Sequence, residues 1–145
     1  MDFLSALNIS GSGLTAQKAR MDVIAQNIAN AQVTKTESGS PYRRRAVVLT
    51  SVKGDGSFRN ALNKSMGRES GGVQVRKIVE DPAPFVPVYD PTHPDADEEG
   101  YVMMSNVNTT QEIIDMLSAS RAYESNVTVF NATKAMALKA LEIGR

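Results

Sequence analysis

Residues 109–143, TTQEIIDMLSASRAYESNVTVFNATKAMALKALEI, place apolar side chains mostly at three- and four-residue steps: Ile113, Leu117, Tyr123, Val127, Phe130, Leu138 and Leu141. Arg121, Glu124, Lys139 and Glu142 are left to face water. Asn108-Thr109-Thr110-Gln111 ahead of the stretch offers a capping box, the Asn side chain accepting at N3 and the Gln reaching back. Gly144 supplies the stop. The spacing therefore predicts one helix over 109–143, about 52 Å long at 1.5 Å per residue.

The first 31 residues carry a second helical pattern. Leu7, Leu14, Met21 and Ile28 recur at every seventh position, flanked by Leu4, Ile24, Ala25 and Ala31, with Asp2 as N-cap. Gly11 and Gly13 interrupt it at a cost of about 1 kcal/mol each relative to Ala, so this helix is expected to need packing to persist.

Between the helices the period changes. Arg45–Val52, Val73–Glu80, Phe85–Tyr89 and Tyr101–Met104 are short and rich in Val, Ile, Tyr and Phe, and read as strands. Lys53–Gly72 and Asp90–Gly100 read as surface loops. The predicted fold class is α+β: long terminal helices packed as an antiparallel coiled-coil-like pair around a small β-rich insert. Residues 1–34 and 107–145 form the helical domain and 35–106 the insert. A lone pair of long helices buries one stripe each and leaves the rest in water, so these helices are expected to take further neighbours, identical or related subunits.

Composition excludes several functions. Sixteen basic and sixteen acidic residues cancel, leaving no field to gather nucleic acid or anionic membrane. No cysteine is present, which removes disulfide and thiolate chemistry. No apolar run approaches the ~18 residues of a membrane span, and Met1-Asp2-Phe3-Leu4 lacks the start of a cleaved signal peptide, so neither membrane insertion nor signal cleavage is expected.

His93, the one histidine, stands among Asp90, Asp95, Asp97, Glu98 and Glu99. The acidic spacing misses the EF-hand pattern, and no second His completes a zinc site, so a solvated acidic loop or a contact with another subunit is the expectation. Arg43-Arg44-Arg45 is expected to pair with carboxylates of a neighbouring subunit rather than with nucleic acid. No serine has a base placed by a recognisable motif. No catalytic residue, metal or cofactor is assigned.

Two blocks carry a resemblance. Asp22-Val23-Ile24-Ala25-Gln26-Asn27-Ile28-Ala29-Asn30-Ala31 resembles the signature that ends the first helix of flagellar rod and hook proteins. Gly100–Val107 followed by Met116–Val127 resembles the same family's C-terminal signature. Gly39-Ser40-Pro41-Tyr42-Arg43 and Tyr89-Asp90-Pro91 with Pro94 are similar to the middle region of its proximal rod members. The sequence departs from the family at Ser105, where Pro is usual, and over Lys35–Ser40.

The resemblance implies a structural subunit of the flagellar basal-body rod. Such a subunit is exported by the flagellar type III apparatus without a cleaved signal, crosses the periplasm in the rod, and transmits torque from motor to hook. Its implied partners are other rod subunits and copies of itself. The expected assembly residues are Leu7, Leu14, Met21, Asn27, Ile28, Asn30, Ile113, Leu117, Arg121, Tyr123, Asn126, Val127, Phe130, Leu138 and Leu141. The same helical stripes are also compatible with a soluble helical adaptor or an export-chaperone-like binding module. An enzyme built on His93 and the acidic loop is a distant third.

Overall fold

The computed structural model describes residues 3–52, 62, 65 and 71–143. The expected Asp2 cap, the Gly144 stop, the Leu4 side chain and most of the Lys53–Gly72 loop lie outside the described residues. The element order is helix α1 (Phe3–Ala29), strands β1 (Arg45–Ser51), β2 (Val73–Glu80), β3 (Val86–Tyr89) and β4 (Tyr101–Met104), and helix α2 (Thr109–Ile143). This is the α+β layout expected, with α1 two residues shorter than its apolar pattern.

Helix α2 starts where its cap predicts: the Asn108 side-chain oxygen accepts the Gln111 backbone N–H at 3.2 Å. Asn108 O accepts the Glu112 N–H, the first helical bond. No return bond from the Gln111 side chain is present among the described residues, so half of the capping box forms.

The two helices run antiparallel: Gly13 lies beside Asn126, Arg20 beside Asp115 and Asn27 beside Glu112. The seam between them is not the apolar stripe read from the sequence. On α1 the buried residues are Ser10, Ala16, Val23, Ile24 and Asn27, whereas Leu7, Leu14, Met21 and Ile28 are only half-buried. On α2 the buried residues are Glu112, Ala119 and Thr133, and with half-buried Asn126 they recur every seventh position. Ile113 (59% exposed), Leu117 (53%), Leu138 (54%) and Leu141 (72%) face outward, and Tyr123, Val127 and Phe130 flank the seam half-buried.

Small residues explain this choice of face, because they let the backbones approach. A Cβ added to Gly13 would stand 3.2 Å from the Asn126 amide nitrogen, so this glycine marks the close crossing. Gly11 meets nothing within 4 Å.

The insert forms two antiparallel hairpins. β1 pairs with β2 from Arg45↔Glu80 to Ser51↔Val73, with a bulge that leaves Arg76 unmatched between the Val48↔Lys77 and Leu49↔Val75 pairs. This hairpin leans on α1, where Ser12 Oγ accepts the Val73 N–H at 3.1 Å. β3 pairs with β4 in register, Val86↔Met104 to Tyr89↔Tyr101. Pro87 is tolerated because a two-stranded ribbon consists of edge strands.

Candidate assembly site

The signature asparagine Asn27 lies at the centre of a buried polar cluster and is fully removed from solvent. Its amide nitrogen donates to Arg45 O at 2.8 Å and to Glu112 Oε2 at 2.9 Å. Its oxygen accepts Tyr42 Oη–H at 3.0 Å and the Arg45 N–H at 2.9 Å. An amide offers two donors and two acceptor positions, and all four are used. Toward Arg45 it behaves as a one-residue strand partner, satisfying both backbone groups at the start of β1.

Glu112, in the first turn of α2, is also fully buried. Its second oxygen accepts Arg44 Nε at 2.6 Å. Arg44 further reaches Asp81 at 3.7 Å and Asp115 at 3.6 Å, and Asp115 meets Arg20 of α1 at 3.5 Å. Asn106 closes the ring: its side-chain oxygen accepts the Arg44 N–H at 2.8 Å and its nitrogen donates to Ala83 O at 3.1 Å. A charge with no water must find partners or be expelled, and here each carboxylate has an arginine or an amide. Burial pushes the Tyr42 phenol above its ordinary pKa, with Arg45 opposing and Glu112 and Glu80 adding to the rise. The cluster ties the end of α1, the start of β1, the strand connection at 81–83 and the first turn of α2 into one joint.

These contacts revise two expectations. Arg43-Arg44-Arg45, expected to pair with a neighbouring subunit, is engaged within the chain. Arg43 donates to Asp81 O and Ala83 O and lies 4.4 Å over the Phe85 ring, while Arg45 faces Glu80 at 3.5 Å and stacks near Tyr42. Asn27 and Asn30, both expected at the assembly surface, bond within the chain: Asn30 donates to Gln26 O at 2.8 Å at the helix end, while Asn27 turns inward.

Nothing in the sequence pattern singles out Glu112, while Arg44 reads as a residue pairing outside the chain and Asn106 appears only within the Gly100–Val107 block. The available signal was the seven-residue recurrence of small or polar residues Glu112, Ala119, Asn126 and Thr133, which an apolar search passes over. The buried Ser105 hydroxyl accepts the Val107 N–H at 3.3 Å and holds the turn into α2.

His93 belongs to an ordered loop. Its Nδ1 accepts the Asp95 N–H at 3.1 Å, and Asp95 takes bonds from Lys35 at 2.6 Å and Thr34 at 2.8 Å. Those two bonds, Lys35 first, hold the Asp95 carboxyl below the usual carboxylate range. Among the described residues no group of three or more His, Cys, Asp or Glu is placed to hold a metal ion.

The other expected assembly residues split by position. Ile113, Leu117, Leu138 and Leu141, together with Ile114 (56%), Val129 (50%) and Met136 (64%), are large apolar residues exposed along α2. Arg121 is exposed on the same helix and meets no carboxylate among the described residues. Asn126 donates to its own helix at Ala122 O.

Two family models match the ends of the chain: "Flagella basal body rod protein" over residues 7–35 and "Flagellar basal body rod FlgEFG protein C-terminal" over residues 98–143. The flagellar basal-body rod protein FlgC of Bacillus subtilis is 49% identical, with both chains covered in full. FlgC of Borreliella burgdorferi is 41% identical over 99% of this chain and 98% of its own. FlgC of Escherichia coli O157:H7 is 41% identical over the whole of both.

Proposed function

The chain belongs to the FlgC family of flagellar basal-body rod proteins and is a structural subunit of that rod, and from that premise we propose that it joins its neighbours through the outward faces of its terminal helices. The observation that carries this reading is the inverted pattern of the helix pair. The buried residues of α2 are the small or polar Glu112, Ala119 and Thr133, while Ile113, Leu117, Leu138 and Leu141 stand in water. With half or more of its surface still exposed, each such side chain stands to gain about 1–2 kcal/mol on burial against a neighbouring molecule.

Heterologous, staggered contacts of this kind generate helical shafts. Leu117, Leu138 and Leu141 of α2 are the principal contacts, with the half-buried Leu7, Leu14, Met21 and Ile28 of α1 completing the surface. Arg121, Tyr123, Val127 and Phe130 contribute at its margins. Asn27 serves the same end from inside, by fixing the helices against the hairpin. The partners are copies of this chain and other rod subunits, delivered by the flagellar type III apparatus without signal cleavage. The assembled shaft crosses the periplasm and carries torque from motor to hook, a structural task with no catalytic step. The helical-adaptor reading finds no support in the comparisons.

Leu117→Asp with Leu138→Asp tests the proposal. Both positions are exposed in the subunit, so the change in its own stability is expected to stay within about 0.5 kcal/mol per site. Incorporation into basal bodies should nevertheless be abolished, along with motility. Normal basal bodies from the double variant would sink the helix-packing proposal.

A further inference from the structure

The β3–β4 hairpin presents a second kind of surface. By register and alternation Pro87, Tyr89, Tyr101 and Met103 share one face, and Tyr89 (64% exposed), Tyr101 (41%) and Met103 (51%) all meet solvent. The two rings sit edge to face with centroids 5.3 Å apart. Gly100, at φ +82°, lets the loop close on them, since a Cβ there would stand 3.0 Å from the Tyr89 ring.

The loop itself is rigidly built. Asp97 accepts the N–H groups of Glu99 and Tyr101, and its own N–H returns to Tyr101 O. Glu98 and Glu99 at the tip have no basic partner among the described residues. The hairpin is thus a preformed aromatic knob with an acidic tip, and little ordering entropy stands against its docking.

The matching chemistry lies on β2. Arg76 is the unmatched bulge residue, and bulges re-aim a side chain away from the ladder. The side chains of Arg76 and the adjacent Lys77 are exposed and, among the described residues, have no hydrogen-bond or ion-pair partner. Arg43, Arg44 and Arg45, by contrast, are all occupied. Ile78 (53% exposed) and Val75 (36%) give the same strand an apolar surface. Among the described residues the strands of the two hairpins make no contact, and no ion pair joins these charges within one subunit.

Resting on the rod-subunit reading, we infer that the acidic aromatic tip of the β3–β4 hairpin docks on the Arg76–Ile78 segment of a second copy of this chain. Both halves of the complementary pair are carried by one sequence, which selects the same chain as occupant. The contact is heterologous, tip to strand, and repeats from copy to copy. Its opposed charges set partner choice and register, while the helices supply the burial.

The chain has no cysteine, so introduced thiols report without background. Full-length Glu98→Cys/Arg76→Cys, oxidised in purified basal bodies, should give covalent multimers of this chain, and neither single variant should. In parallel, Glu98→Lys/Glu99→Lys and Arg76→Glu/Lys77→Glu should each lower incorporation by about tenfold, the scale of like charges brought together at a contact rim. The fourfold swap in one chain should restore it. Normal incorporation of both charge-reversed variants, failure of the swap to restore it, adducts of the Glu98→Cys variant with a different protein, or a normally incorporated double-cysteine variant without multimers would each overturn the inference. Absence of the unaltered chain from basal bodies would instead strike at the rod-subunit reading itself.

Discussion

Replacing Asn27 tests how the subunit is held together. Asn27→Ala strips four hydrogen bonds from a site with no solvent, leaving the Arg45 N–H, the Arg45 carbonyl, the Tyr42 hydroxyl and one Glu112 oxygen without this partner. At about 0.5–1.5 kcal/mol net per bond, and more for a buried group left unsatisfied, the expected loss is about 3–5 kcal/mol. Asn27→Asp is more diagnostic, because it keeps the shape and the two acceptor contacts. It aims an anionic oxygen at the Arg45 carbonyl and at Glu112 Oε2, which now lie 2.8 and 2.9 Å from a donating nitrogen. Two carboxylates at that separation do not both ionise readily, so the loss should equal or exceed that of Asn27→Ala. Adding Glu112→Gln exchanges donor and acceptor: the new amide nitrogen donates to Asp at position 27 while its oxygen still accepts from Arg44. The double variant should recover about 1–2 kcal/mol relative to the sum of the singles, read by urea denaturation of the purified full chain followed by helical circular dichroism. Single-site losses that simply add, within about 0.5 kcal/mol, would refute the claim that this pair joins α1 to α2.

Other consequences are checked in the same assay or by solution spectroscopy. Gly11→Ala, with open space around its Cβ, should gain up to about 1 kcal/mol of helix stability, whereas Gly13→Ala should gain less or lose, because its Cβ meets Asn126 at 3.2 Å; equal gains would contradict a close crossing at Gly13. Because bonds from Lys35 and Thr34 lower the folded-state Asp95 pKa, their contribution is complete above the ordinary Asp pKa of about 3.9 and is lost as pH falls through the folded value. An NMR titration should therefore place Asp95 below the ordinary Asp range, and Lys35→Ala should move it upward; no movement would dissociate Lys35 from that effect. Amide exchange should be slowest near Val23–Asn27 and Glu112–Ala119, around the buried joint, and fastest toward 137–143, where nearly every described residue is exposed. A flat profile along α2 would contradict anchoring at that one end.

The elements were legible in the sequence for local reasons. Asn108 caps α2 as its spacing from Gln111 predicted, and the Val- and Tyr-rich segments of the insert form strands within a residue of their expected bounds. Facing was not legible in the same way. Apolar residues at helical spacing, Leu7, Leu14, Met21 and Ile28 on one helix and Ile113, Leu117 and Leu138 on the other, predict helices paired stripe to stripe. The chain instead brings Gly13 to Asn126 and Asn27 to Glu112, since small side chains permit approach and amide and carboxylate groups can satisfy each other there. Asn27 was found through its signature, but its inward orientation depends on Tyr42 and Arg45, fifteen and eighteen residues away. No periodicity within α1 encodes them.

On the proposed reading, the two faces of α2 divide the labour between folding and assembly. The seam residues Glu112, Ala119, Asn126 and Thr133 contribute little hydrophobic free energy; Glu112 fixes geometry through its buried hydrogen bond to Asn27, while Asn126 and Thr133 bond carbonyls of their own helix. The outward residues Ile113, Ile114, Leu117, Val129, Met136, Leu138 and Leu141 hold the larger apolar area and gain by burial against a neighbour. Reversing this arrangement would satisfy the helices inside one subunit and remove the drive to polymerise. A charge on the outer face should therefore halt assembly with little effect on the subunit, and a change at the joint should cost the subunit first. Measuring both quantities for Leu117→Asp and Asn27→Ala separates the two roles, and parallel losses in stability and incorporation for Leu117→Asp would show that the faces are not independent.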